Sequence, residues 1–594
     1  MCGINVLINA ASNAPQLLDQ MMSATAHRGP DGKGSCDLEG RIHMGANRLK
    51  ILDLSPDAEM PFWSACRQYV LVWNGALYNY QDLKSILQSE GQSFKTTSDT
   101  EVLLYWLIRK GASALNRLNG MFAFAMADLV KQELWLARDR SGEKPLYFHH
   151  SDEKWIFSSE SRGVVAALHS RPSLNTQEFS SYFHYRFTRP TTSFFESIQQ
   201  LNPGTGLIIS FEGTLKRKLE WSINSPAPQT KAFSWEMLLK QAIGRTLQTD
   251  RQAGMVLSGG ADSSLVYALY YEQTGKPLPT YTAAVESRFR KKYSDPLFAK
   301  RFHEKYPAHH HELTITLQDV QENWDAYIRS VDQPIGDSAG FMSWMIGKEA
   351  KADTAVLISG AGADELFGGY TRHQAFDLIL RYPKLFDLLR GFGSFIPYPY
   401  PLNRLIGSIN KDPSETFIQM ASLSPMPKNV LKNWKMHYPE RNDPYLSALS
   451  WDRKVYLTND VLRLNDDVFM SHGIEMRTPY LDGEILEAIE AFPERQRAEK
   501  GKKWIKSALE QRKLSFIANR KKIGFGLPLL EWSQEKSYLD WISGPILEME
   551  QKWGSHFPEP MRKLAKKPQD AEAGQFLVLF NLFVLATWLQ KQHL

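Results

Sequence analysis

The stretch Met-Val-Leu-Ser-Gly-Gly-Ala-Asp-Ser-Ser, residues 255–264, constrains this chain more than any other. Met255 to Leu257 reads as the end of a buried strand and Leu265 to Tyr271 as the start of a helix. The glycine and hydroxyl residues between them then form the kind of loop with which an α/β sheet takes up an anion. Gly259 and Gly260 let backbone N–H groups approach a phosphate, the helix start adds partial positive charge, and Ser258, Ser263 and Ser264 offer hydroxyl donors. Asp262 would repel that anion unless a cation lay between them, which implies Mg2+ held against a polyphosphate. No lysine follows the glycines, so this is not the G-x-x-x-x-G-K-[ST] loop.

The surrounding segments alternate strand with helix. Pro279 to Val285, His311 to Ile315 and Ala355 to Ile358 complete a pattern that predicts a parallel, doubly wound sheet with its ligand at the strand carboxyl ends. A second acidic loop, Ser359-Gly360-Ala361-Gly362-Ala363-Asp364-Glu365, follows the last of these strands. Asp262 and Asp364 are the expected metal pair, with ATP phosphates completing the shell; for Asp364 alone, a helix N-cap is the plainer alternative. Beyond Tyr370 the pattern is almost wholly helical. The apolar run Phe576 to Leu589 contains Asn581 and Thr587 and is too short to span a bilayer, so it predicts a buried carboxy-terminal helix.

Residues 1–212 read differently. Short strands at Ile4 to Ile8, Tyr69 to Trp73, Met121 to Asp128, Glu133 to Ala137 and Trp155 to Ser158 mix with helical patterns at Ala14 to Thr25, Gln81 to Ser89 and Thr100 to Lys110, predicting sheets covered by helices. The segment 213–232, which holds the polar, proline-bearing run Ser222 to Thr230, reads as a linker to a second domain at 233–594. That domain opens on an amphipathic helix, Phe233 to Leu247. A chain of 594 residues with 43% hydrophobic residues has ample material for both cores. A net charge of +5, scattered among a similar number of acids, leaves no nucleic-acid footprint. Cys2, Cys36 and Cys66 suit a reducing, cytoplasmic setting better than a disulfide framework, and the start of the chain shows no secretory pattern.

Cys2 also has a chemical reading. Methionine before a small residue is normally removed, which would leave a thiol and an α-amine on one residue, the amine titrating near neutrality and serving as base. Taken alone, a cysteine opening a buried strand is the commoner reading. Its neighbours change the weighing. Met1-Cys2-Gly3-Ile4, His27-Arg28-Gly29-Pro30-Asp31, Arg48 to Asp53, Trp73-Asn74-Gly75-Ala76-Leu77-Tyr78-Asn79, Ser98-Asp99-Thr100-Glu101, Gly120 to Phe124 and Ala137 to Tyr147 resemble the successive motifs of class II glutamine amidotransferases. The loop at 258–263 resembles the S-G-G-x-D-S pyrophosphate loop of enzymes that adenylate a substrate. With Asp466-Asp467, Gly473 to Asp482, Gly501-Lys502 and Arg520 to Pro528, nearly the whole chain is similar to the glutamine-hydrolysing asparagine synthetases.

That resemblance implies a two-domain protein of α/β and α+β class. An amino-terminal four-layer αββα sandwich of the N-terminal-nucleophile type would precede a doubly wound ATP pyrophosphatase domain with a large helical carboxy-terminal part. It implies glutamine hydrolysis at Cys2, with Asn74 and the Gly75 N–H as the oxyanion hole, Arg48 on the glutamine carboxylate and Asp99 on its ammonium. In the second domain ATP would adenylate a carboxylate, most simply L-aspartate, and ammonia crossing an internal tunnel would attack the acyl-adenylate. Leu257, Ala283, Ser359 and Gly360 fall where the family binds adenosine, and Lys502 where it sets a lysine on the reacting phosphate, with Lys503 one register away.

Two positions depart from the family pattern. Ala76 stands where asparagine synthetases usually have glutamate after Asn-Gly, and Ala361 where they have the glutamate of Ser-Gly-Glu-Gly. Both keep open the same chemistry on a different carboxylate. A β-lactam-synthetase-like cyclase would have no use for Cys2 and Asn74-Gly75, and a non-catalytic nucleotide-binding homologue no use for Asp262, Asp364 and Lys502. The expected partners are small molecules, namely glutamine, ATP and the acid, with no nucleic acid and no membrane. The oligomeric state stays open, a homodimer included.

Overall fold

Every residue of the strand Cys2–Ile8 is buried, which a strand achieves only when both faces of its sheet are covered. In this computed structural model, which describes residues 2–10, 13–221, 234–390, 401–491, 502–521, 524–571 and 575–592, that strand lies within a six-stranded antiparallel sheet. The order is Gln199–Gln200, Tyr147–Ser151, Lys154–Ser158, Cys2–Ile8, Ile42–Arg48, Gly32–Leu38. A second six-stranded sheet packs on it, ordered Leu215–Glu220, Thr205–Ser210, Glu133–Arg138, Gly120–Asp128, Tyr69–Leu77, Phe62–Trp63.

The helix Ala14–Ala24 covers the outside of the first sheet and Asp99–Lys110 the outside of the second. The four layers are therefore helix, sheet, sheet, helix. Pairing of Leu215–Glu220 with Thr205–Ser210 carries hydrogen bonding of the second sheet into the segment 213–232 expected as a linker. The run Ser222 to Thr230 lies outside the described residues.

The third sheet is parallel throughout, in the order His309–Ile315, Pro279–Val285, Ala253–Val256, Val356–Ile358, Glu475–Arg477. The chain leaves Ala253–Val256 towards one edge and later returns to its other side. Its two central strands thus end side by side at the switch point where such sheets bind ligands. Their carboxyl ends carry the loops Ser258–Gly260 and Ser359–Gly362.

The fifth strand is the exception in a stretch past Tyr370 that is otherwise almost wholly helical, as expected. Glu475-Met476-Arg477 is too short to show a period, and its outer residues are charged. It is buried because those charges meet each other, Arg477 Nε donating to Glu475 Oε1 at 2.6 Å. The carboxy-terminal helix Phe576–Lys591 is buried from Val578 to Leu589. Among the described residues no helix is long and apolar enough to cross a membrane.

The two halves meet through buried polar groups. Lys144 Nζ and Arg28 Nη2 donate to the Asp466 carboxylate at 3.1 and 2.6 Å. Thr478 Oγ1 donates to Glu143 Oε2 at 2.5 Å, and Asn119 Nδ2 to Asp482 Oδ2 at 3.0 Å.

Candidate active site

Strand register assembles the first centre. Cys2 stands opposite Arg48 in the first sheet, and Asn74-Gly75 lies opposite Ala123 and Phe122 in the second. Cys2 is 7% exposed, and its backbone N–H donates to Asn74 Oδ1 at 3.1 Å. That bond orients the amide so that Asn74 Nδ2, fully buried, has no hydrogen-bond partner among the described residues. A buried donor left unsatisfied is costly, and it suits a place where negative charge will appear. Gly75 is required beside it, since a Cβ there would sit 2.3 Å from the Met121 carbonyl oxygen.

These residues open onto a cleft of about 380 Å3 lined by Cys2, Arg48, Gly75, Ala76 and Asp99. Burial pushes the Cys2 thiol above its ordinary value, so to act as a nucleophile it would need a base. Arg48 is braced rather than loose, with Nη2 donating to the Asp53 carbonyl at 2.6 Å and Nη1 3.3 Å from Glu59 Oε1. Asp99 lies in the first turn of the helix that Ser98 caps, and its Oδ2 accepts from the Leu77 N–H at 3.0 Å. Burial lifts its carboxyl to about 6. Ala76 presents only a methyl to this cleft. Glu475 and Arg477 also line it, from the edge of the third sheet.

The second centre lies between the two switch-point loops. Gly259 takes φ +63°, and a Cβ there would meet the Asp295 carbonyl at 2.7 Å, so the tight turn demands glycine. Ser258 Oγ lies 3.2 Å from Ser263 Oγ and accepts from the Gly260 N–H at 3.3 Å. Ser264 is fully buried, its hydroxyl inside the fold rather than in the loop. Gly360 backs onto Ser263, where a Cβ would come within 2.8 Å of its backbone nitrogen.

Lys502 Nζ donates to Asp262 Oδ2 at 2.6 Å and to Asp364 Oδ1 at 2.5 Å. Burial opposes that ammonium, but the two carboxylates hold it protonated well above the ordinary lysine range. One cation therefore already bridges the two aspartates. Lys503 begins the next helix and is exposed; Gly501 lies outside the described residues. Among the described residues no cluster of three or more histidine, cysteine or carboxylate groups forms a metal cage, so a metal here would draw further ligands from phosphate and water.

Beside the loop a smaller cleft is lined by Ala283, Val285, Tyr293, Asp295, Met342 and Phe525, most of them apolar. Leu257 is buried behind it, its N–H donating to the Tyr281 carbonyl at 2.9 Å. Arg520 donates to the Gly259 carbonyl at 2.9 Å and pairs with Asp295, covering the loop from above. Lys522 and Ile523 of the same motif lie outside the described residues.

Ala361 leaves the turn between Gly360 and Gly362 without a carboxylate. The nearest in sequence, Asp364, is taken up by Lys502, and Glu365 follows it, one helical turn on from Ala361. Burial and the neighbouring Asp364 raise Glu365 to about 7, and it accepts from Tyr370 Oη at 2.5 Å.

Sequence reasoning missed Glu475, Arg477 and Arg520 as residues of the two centres. A signal for the first two was present: Gly473 before and Pro479 after an Ile-Glu-Met-Arg run are the usual punctuation of a short strand.

The glutamine amidotransferase domain family matches residues 1–220, and the asparagine synthase family matches residues 234–590. The glutamine-hydrolysing asparagine synthetase 1 of Bacillus subtilis is 26% identical over 577 residues, covering 92% of this chain and 90% of its own. Asparagine synthetase 2 of the same organism is 28% identical over 547 residues, 86% of this chain and 69% of its own. A homologue from Methanocaldococcus jannaschii is 30% identical over 432 residues, 68% of this chain and 82% of its own.

Proposed function

Because the chain belongs to the asparagine synthase family, with a glutamine amidotransferase domain ahead of the synthase domain, we propose that its two centres divide one amide-forming reaction, with L-aspartate as the acceptor. The protein is an enzyme of the glutamine-hydrolysing asparagine synthetase kind. We assign residues 1–212 to the glutaminase and 233–594 to the synthetase, working in the cytoplasm, where free cysteines such as these stay reduced.

At the first centre Cys2, freed of Met1, attacks the carboxamide carbon of glutamine. Its thiol proton passes to its own α-amine, and the oxyanion is held by Asn74 Nδ2 and the Gly75 N–H. Ammonia leaves as the thioester forms, and water then releases glutamate. Arg48 and Asp99 fix the carboxylate and ammonium of the substrate.

At the second centre a carboxylate oxygen of the acceptor attacks the α-phosphorus of ATP and pyrophosphate departs. Ammonia then attacks the acyl carbon and AMP leaves. Ser258, Gly259, Gly260 and Ser263 cradle the phosphates, Lys502 meets the charge that develops on them, and Leu257, Ala283, Ser359 and Gly360 flank the adenosine. Asp262 and Asp364 would hold Mg2+, which when bound offsets polyphosphate charge.

The observation that carries this reading is the single ammonium of Lys502 shared by two aspartates at the ends of adjacent parallel strands. It supports a cation-dependent phosphate site at the switch point. The test is pyrophosphate release with ATP, glutamine and a panel of carboxylic acids. Aspartate should give pyrophosphate and asparagine in step. Release that ignores the added acid, or yields no amide, would overturn the reading, and Ala361 makes the choice of acid the sharpest part of the screen.

A further inference from the structure

One residue reaches both centres. The Arg477 backbone pairs in register with Ile358, and its carbonyl accepts from the Ser359 N–H at 2.9 Å, the residue that opens the second nucleotide loop. Its side chain runs instead to the glutamine cleft, which it lines together with Glu475. The guanidinium is 1% exposed. Nε donates to Glu475 Oε1 at 2.6 Å, and Nη1 to the carbonyls of Thr246 and Gln248 at 2.7 and 2.8 Å. Nη2 has no hydrogen-bond partner among the described residues.

A buried guanidinium nitrogen without an acceptor, on a residue that lines a substrate cleft, is a costly arrangement unless something else supplies that acceptor. The charge of Arg477 is also felt at Asp99, and that of Glu475 at Cys2. The segment that follows is tied to the first domain: Thr478 donates to Glu143, Asn119 Nδ2 donates to Asp482, and the Gly483 N–H donates to Asn119 Oδ1 at 2.8 Å. The strand Glu475–Arg477 therefore pairs along its length with Val356–Ile358, and at its Arg477 end it meets both the nucleotide loop, through Ser359, and the segment fastened to the glutaminase.

We propose that Arg477 is the positioning residue that couples the two centres, glutamine in the cleft giving Nη2 its acceptor and the resulting shift of the strand passing through the Ser359 hydrogen bond to the loop that carries Ala361 and Asp364. The inference rests on the two-centre reading above. Coupling of this kind is reciprocal: if glutamine alters the affinity for ATP, ATP alters the affinity for glutamine by the same factor.

The experiment uses the full-length protein with Arg477→Gln, and with the pair Glu475→Gln and Arg477→Gln, which removes both buried charges together should the single change fail to fold. Glutamate formed per pyrophosphate and the effect of ATP plus acceptor on the KM for glutamine are measured against wild type. In both folded variants glutamate per pyrophosphate should rise about fivefold or more, the low end of measured site-to-site couplings, and ATP should lose its effect on the glutamine KM. A wild-type ratio in either variant overturns the proposal, as does an equal fall in glutamine-driven and ammonium-driven turnover, which marks a merely structural role. If the wild type itself shows no glutamine-dependent pyrophosphate release, the two-centre reading has failed instead.

Discussion

Asp99 is buried in the cleft, where its Oδ2 accepts from the Leu77 N–H, and burial lifts its carboxyl to about 6. Below that pH it becomes neutral and, in the role proposed for it, would no longer attract the ammonium of glutamine. The KM for glutamine should therefore rise as pH falls through about 6, approaching tenfold for each further unit, while the ammonium-driven reaction shows no such inflection. Steady-state kinetics between about pH 5 and 8, the range over which a group titrating near 6 changes charge, would check it. The same raised value means that ionised Asp99 weighs on the folded state above pH 6 and is relieved below it.

Ala361 yields a second prediction on this scale. A positioned base contributes about 10²–10⁴ in rate, and a methyl contributes nothing. Ala361→Glu should raise aspartate-dependent turnover by about tenfold or more; an unchanged or lower rate would show that the site is built for another acid. Residues such as Cys2, Asp262 and Asp364 were legible because their chemistry is odd for their surroundings. For Glu475 and Arg477 only a short strand was legible, and their place in the cleft was not, because it is the fold that buries the two charges together.

Among the elements, the two glycine loops and the strands before them were legible, since a run of apolar β-formers ending in Ser-Gly has few other uses. Gly32–Leu38 was not: Gly-Lys-Gly-Ser-Cys-Asp-Leu offers no alternation of apolar and polar residues, and only its register with Ile42–Arg48 makes it a strand. Tertiary pairing outweighs weak propensity there. The turn after the short helix Ala363–Phe367 makes a prediction at this scale. A Cβ on Gly369 would lie 1.8 Å from Asp364 Oδ1 and 2.9 Å from Lys502 Nζ. Gly369→Ala should displace both, lowering pyrophosphate release by at least about tenfold, the loss expected when a reacting charge is misplaced by about an ångström. Glutamine hydrolysis without ATP should persist. Equal losses at both centres would contradict the assignment of this turn to the nucleotide site alone.

Across the whole molecule, the joint between the halves is polar and buried. Asp466 takes Lys144 from the first domain at 3.1 Å and Arg28 at 2.6 Å, all three side chains 3% exposed or less. Exposed pairs such as Lys563 with Glu559, 3.8 Å apart, contribute about 0–1 kcal/mol. Removing one member of a buried set leaves uncompensated charge and costs about 3–5 kcal/mol. Asp466→Ala should show that loss in urea unfolding; a change under about 0.5 kcal/mol, ordinary for a surface site, would mean the joint carries no load. The division into two halves was visible in the change from short strands to alternating strand and helix. The joint was not, because its partners lie hundreds of positions apart.

What the two centres share is a product, the ammonia that one makes and the other consumes. Amide formation by Cys2→Ala, driven by glutamine and by ammonium in parallel, tests that directly. Glutamine-driven synthesis should fall by about 10³-fold or more, as for loss of an enzymatic nucleophile, while ammonium-driven synthesis continues. If ammonium fails along with glutamine, or glutamine still serves without the thiol, the account of two centres joined by one product is wrong.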